Sequence, residues 1–146
     1  MPRVRRFRKA AFPSSEAGTS AVEFALLSPL YFLLLMGMAA YGLYFGVSHS
    51  LQQIAADAAR AAIAGLTPQD REQIAAGYVL RNARTYPLID GDHLTVETGD
   101  SPQDPTQFVI SLDYDALSLP IWNLLDGLPL PPVTITRRST IRIGGL

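Results

Sequence analysis

From Phe24 to Ser48 the chain runs for 25 residues without a formal charge. Few folds accommodate such a run. As an α-helix rising 1.5 Å per residue it spans about 37 Å, against a bilayer hydrocarbon core of about 30 Å. Only a helix, among open-ended elements, satisfies its own backbone hydrogen bonds without water. A cleaved secretory signal carries a much shorter apolar stretch, roughly 7 to 15 residues. The run therefore reads as a membrane anchor. The charge-free stretch continues to Ala56, but His49, Ser50, Gln52 and Gln53 make its far end polar.

Charge on either side of this run sets an orientation. Five bases (Arg3, Arg5, Arg6, Arg8 and Lys9) precede it, against Glu16 and Glu23, whereas seven bases and eleven acids follow it. Of those following bases, only Arg60 lies near the far end of the span. By the positive-inside rule the N-terminus is expected in the cytoplasm and the remainder outside. A nucleic-acid-binding arm is the alternative reading of the basic run, but bases joined directly to a membrane span already have an explanation. No nucleic-acid partner is expected. The expected division is a basic cytoplasmic leader (1–18), a transmembrane helix (19–50) and a periplasmic α+β domain (51–146).

Beyond the span the helical period continues. "LQQIAADAARAAIAG" sets Leu51, Ile54, Ala55, Ala58, Ala61 and Ala62 on one face and Gln53, Asp57 and Arg60 on another, an amphipathic extension closed by Gly65. A second helix is expected from Thr67 as N-cap, with Pro68 in its first turn and Asp70 and Glu72 near its positive end. Ile74, Tyr78 and Arg81 would mark its buried face, and Tyr86-Pro87 would end it.

The period then changes from 3.6 to 2. "HLTVET", "QFVISLDYD" and "VTITRRSTIRI" alternate apolar and polar residues and predict three half-buried antiparallel strands. Arg137 and Ser139 interrupt the apolar side of the third. The expected fold class is thus α+β: a long N-terminal transmembrane helix running into an amphipathic helix, a second helix, then a small sheet.

The chemistry of catalysis is missing from the sequence. There is no cysteine, which removes thiol catalysis and thiolate metal sites. The two histidines, His49 and His93, fall at the span exit and in a turn. No nucleophile elbow, phosphate-cradling loop or zinc-binding histidine pair is present. "DGDHLTVETGD" gathers Asp90, Asp92, His93 and Asp100, but without the spacing of a calcium loop, and Asp-Gly is an ordinary turn signal. Neither enzyme activity nor a cofactor nor a metal is expected. Between the second and third strands, Leu119, Ile121, Trp122 and Leu124 could form a lid over the core or an exposed partner patch.

"AGTSAVEFALLSPLYFLLLMGMAAYGLYFG" followed by "LQQIAADAARAAIAG" resembles the TadE-like proteins, pseudopilin-type components of the tight adherence (Flp) pilus machinery. The shared pattern is Gly18, four residues, Glu23-Phe24, Pro29, a leucine-rich span and an alanine-rich extension. "FVISLDYDALSLPIW" and "VTITRRSTIRI" are similar to that family's C-terminal strands. The resemblance implies that a membrane-embedded aspartyl prepilin peptidase cuts between Gly18 and Thr19, leaving Glu23 as the fifth residue. It implies an inner-membrane location, with other pilin-like subunits and pilus assembly platform proteins as partners. Glu23 would then be the assembly carboxylate, and Phe24, Pro29, Gly42 and Gly46 would pack helices together, Gly42 and Gly46 having the small-x-x-x-small spacing. The alternative is an uncleaved, membrane-anchored periplasmic scaffold or binding domain.

Overall fold

The computed structural model describes residues 16–123 and 131–143. The chain divides into two compact units, Met1–Leu35 and Met36–Leu146. The fold is α+β, as the change of period indicates.

Helix α1 (Glu16–Ala62) runs for 47 residues, beginning three residues before the expected Thr19. Pro29 lies inside it, where its ring removes one backbone hydrogen bond. Near that break the Ser28 hydroxyl donates to the Ala25 carbonyl at 3.3 Å. At the other end the bonds tighten: Ile63, Ala64 and Gly65 donate to carbonyls three residues back. Gly65 thus lies past the helix, in a turn, and its role is spatial. A Cβ there would stand 2.6 Å from the Arg71 backbone nitrogen, so only glycine lets α2 return so closely.

Helix α2 (Pro68–Asn82) starts as its sequence dictates. The Thr67 hydroxyl accepts from the Asp70 amide, and the Asp70 carboxylate accepts from the Thr67 amide, both at 3.1 Å. This reciprocal pair satisfies two donors that a helix start otherwise leaves orphaned. The buried face is displaced by one residue from the one read off the sequence. Arg71, Ala75 and Val79 are buried, Ile74 and Tyr78 only half so, and Arg81 is exposed. The cause is packing. Small Ala75 and Val79 face the core, while the Tyr78 hydroxyl stays at the rim to meet that of Tyr86 at 3.1 Å. On α1, likewise, Ala59 is buried where Ala61 was expected.

Strands β1 (Leu94–Asp100), β2 (Gln107–Asp115) and β3 (Thr134–Arg142) form one antiparallel sheet in the order β1-β2-β3. Phe108, Ile110, Leu112 and Tyr114 of central β2 are fully buried. Tyr114 is flanked by Leu94 and Ile135, and Leu112 by Val96 and Arg137. Against this face lie Val47, Leu51, Ile54, Ala55, Ala58 and Ala62 of α1, spaced three and four apart so that they share one stripe.

One polar cluster ties the two helices. Tyr86 donates to the Asp57 carboxylate at 2.5 Å, and Arg60 pairs with the same carboxylate from the next turn. The Tyr86 hydroxyl holds the Asp57 carboxyl below its usual range, with burial pulling the other way and Arg60 reinforcing. Burial, then the bond to Asp57, pushes the Tyr86 phenol far above its ordinary value. Because the folded-state value of Asp57 is depressed, its contribution is fully present above the unfolded carboxylate range, about pH 4. It fades as pH falls below that.

Three outcomes follow for the full chain in detergent micelles, read by denaturant or thermal unfolding. Tyr86→Phe lowers stability by about 1 kcal/mol at neutral pH, and the gap from the parent narrows on acidification below about pH 4. Gly65→Ala costs about 1–3 kcal/mol because backbone must shift. Gly42→Ala, which meets open space, leaves stability unchanged or raises it by up to about 1 kcal/mol.

Candidate functional site

In the first unit the large apolar side chains of the described helix are exposed. Phe24 is 69% and Leu26 75% exposed, and Leu30, Tyr31 and Phe32 are exposed as well. Side chains of this kind around the whole helix demand an apolar surrounding, lipid or other helices. This is a helix long and apolar enough to cross a membrane. Glu23 is exposed at the head of the run, and among the described residues no cation pairs with it. A carboxylate at the edge of an apolar run is costly in hydrocarbon unless a cation joins it.

Gly18 and Thr19 lie in the first turn of α1. Glycine there weakens the helix relative to alanine by about 1 kcal/mol, and a first turn has fewer backbone bonds to lose than an interior one. The bond between them is thus more easily opened than one deeper in the helix. Glycine also leaves no side chain in the way of a cleft closing on the backbone.

The residues expected to pack helices fare differently. Phe24 and Pro29 are exposed. Gly42 faces open space, whereas a Cβ on Gly46 would come within 2.8 Å of Leu88 Cδ1. Gly46 is therefore a contact within the chain. Leu88 reaches it from a backbone with φ of 65°, a left-handed conformation costing a branched-chain residue about 1 kcal/mol or more.

The segment after β2 packs inward. It forms two short 3-10 turns, Ala116–Ser118 and Pro120–Asn123. Ile121 is fully buried with Ala40 of α1, and Leu119, Trp122, Leu43 and Tyr44 surround the pair. The Trp122 indole donates to the Ala116 carbonyl at 2.5 Å. Ile121 is thus lid rather than exposed patch, with Leu119 and Trp122 half-buried beside it. Leu124 lies outside the described residues.

The acidic cluster is dispersed into turn and ion-pair duties. Asp90 accepts from the Asp92 amide at 3.1 Å, Asp92 pairs with Arg84 at 3.0 Å, and Asp100 pairs with buried Arg71 at 3.7 Å. His93 meets the edge of Tyr114. Sequence reasoning missed the Asp57–Tyr86 tie, since residues 29 positions apart leave no local signal. It also missed that Arg137, an apparent interruption of a strand, reaches Ser48 Oγ on α1 at 2.5 Å.

Residues 18–60 match the family model of the TadE-like proteins. The match spans the Gly18–Glu23 motif, the apolar run and the alanine-rich extension, and stops before α2. No curated protein and no solved structure is significantly similar to the chain.

Proposed function

From a TadE-like segment at residues 18–60, we propose that the chain is a membrane-anchored, pseudopilin-type component of a bacterial tight-adherence (Flp type IVb) pilus system. The observation that carries this reading is Glu23 at the head of an exposed apolar helix within the matched segment. The role is structural rather than catalytic. The N-terminus lies in the cytoplasm, α1 crosses the inner membrane, and the α+β domain stands in the periplasm, the orientation the basic leader favours.

A prepilin peptidase cuts between Gly18 and Thr19. The cut removes the five bases that hold the N-terminus at the cytoplasmic face, and it creates an α-amine at Thr19. That amine, from the same or a neighbouring subunit, supplies the cation that Glu23 lacks. Lateral packing with other pilin-like helices then covers the apolar side chains of the first unit. The assembly platform proteins are supplied in trans.

An uncleaved, membrane-anchored scaffold is the rival reading, and the enclosure of Gly18 and Thr19 in helix α1 favours it. Intact mass and terminal peptide mapping of the native protein extracted from membranes decide between them. The expected chain begins at Thr19. Glu23→Ala is then expected to reduce incorporation into the assembly at least tenfold while leaving cleavage intact. A chain still beginning at Met1 or Pro2, in cells with active peptidase, would sink the processed reading and leave the scaffold.

A further inference from the structure

Within the second unit, α1 changes from exposed apolar to exposed polar over one turn. Met38 is 56% and Phe45 62% exposed, whereas the next exposed side chains are His49, Gln52 and Gln53. For a helix leaving a bilayer, the headgroup layer falls at the turn Phe45–His49. The aromatic Tyr41, Tyr44 and Phe45 just below it suit that level.

Strand β3 brings a cation to the same place. Arg137 stands opposite Leu112 on the inward face of the sheet, half-buried. Its Nη2 donates to Ser48 Oγ at 2.5 Å and its Nη1 to the Thr136 carbonyl at 2.7 Å. Gln52 Nε2 donates to the Arg138 carbonyl at 3.3 Å, which fixes β3 to α1 and holds Arg137 over the helix. Asp113, which accepts from Thr136, is on the opposite face of the sheet. Among the described residues no carboxylate forms an ion pair with Arg137. Among the described residues, two of its five N–H donors meet Ser48 and Thr136, which leaves the fork open to an anion.

Phe45, Ser48, His49, Gln52 and Arg137 line one open pocket of about 500 Å³. It has cationic and hydrogen-bonding groups on its polar side, an aromatic ring on the other, and no acid in its lining. A half-buried guanidinium without an anion is incomplete, and phosphate oxygens match its planar fork. An acid-free lining gives a choline or ethanolamine ammonium no counter-charge beside the Arg137 guanidinium, so a headgroup of net negative charge fits best.

We propose that this pocket binds the phosphate of an anionic phospholipid from the leaflet where α1 emerges, with Arg137 as principal ligand and the acyl chains running along Phe45. The proposal rests on α1 crossing a membrane, and not on cleavage or pilus assembly. The bound lipid would seat the folded domain at a defined height over the bilayer.

The test uses the full chain in nanodiscs of equimolar phosphatidylglycerol and phosphatidylcholine, released into mild detergent for native mass spectrometry. Phosphatidylglycerol is expected to be retained in preference to phosphatidylcholine. Arg137→Gln should cut that retention roughly tenfold, the loss of one charge-assisted contact. Arg142→Gln, on the exposed face of the same strand, should leave it unchanged. If the thermal transition shows that Arg137→Gln is unfolded, the exposed His49→Ala takes its place, with a several-fold loss expected. Equal retention of the two lipids, or equal loss in Arg142→Gln, would overturn the proposal, as would retention untouched by the folded site variant. Displacement of the lipid by inorganic phosphate at matching concentration would also overturn it, making the pocket a free-anion site. A chain that never enters nanodiscs would remove the membrane span itself, a failure distinct from that of the pocket.

Discussion

Everything in this chain answers to one constraint: a peptide backbone cannot enter hydrocarbon with its N–H and C=O groups unpaired. Helix α1 meets it by pairing those groups internally, which leaves its side chains free to vary with their surroundings. In the first unit they are large and exposed, Phe24, Leu26 and Phe32 among them. In the second unit the helix buries small residues, Ala55, Ala58, Ala59 and Ala62, against a sheet. The secondary structure is the same, and the surroundings that its side chains suit are different. The bulky residues suit a liquid that yields, and the alanines suit a folded surface that does not.

Much of this was legible because the determining signals are local. The absence of charge from Phe24 to Ser48, the Thr67–Asp70 capping pair and the alternation along β2 each act within a few residues. The capping pair marks the start of α2 and the alternation gives β2 to its ends, whereas α1 extends beyond its charge-free run on both sides. The misplacements were equally physical. The buried face of α2 was read as Ile74 and Tyr78 because they are larger and more apolar than Ala75. Burial went instead to the residues that allow close approach. Gly46 looked like a surface for another helix, but Leu88, held in a left-handed backbone, fills its place.

What no local pattern could reveal are contacts between distant positions. Asp57 reads as a surface charge until Tyr86 folds back on it. Ser48 and Arg137 are 89 positions apart. In the alternation of β3, Arg137 is only a flaw in an apolar face. An inward charge on an edge strand also discourages the strand from pairing with another sheet. That account covers the location of Arg137 in the sheet but not the missing counter-charge, for Asp100 on the opposite edge strand is also inward and does have a partner in Arg71.

The two edge strands thus carry inward charges of opposite sign, and among the described residues only the acid has an ion-pair partner. A folded chain in water would be expected to match the less exposed of the two first, since an unpaired charge costs more as it loses water, and Arg137 is half-buried where Asp100 is exposed. The asymmetry becomes intelligible if the missing anion belongs to the surroundings. Glu23 presents the mirror image, an acid that pairs with no cation among the described residues, at the head of the same helix. Both unpaired charges lie on or against α1, one on each side of its apolar run. A half-buried Arg137 and an exposed Glu23, each without an ion-pair partner among the described residues, are the two places where the proposed lipid and helix contacts would complete the chain.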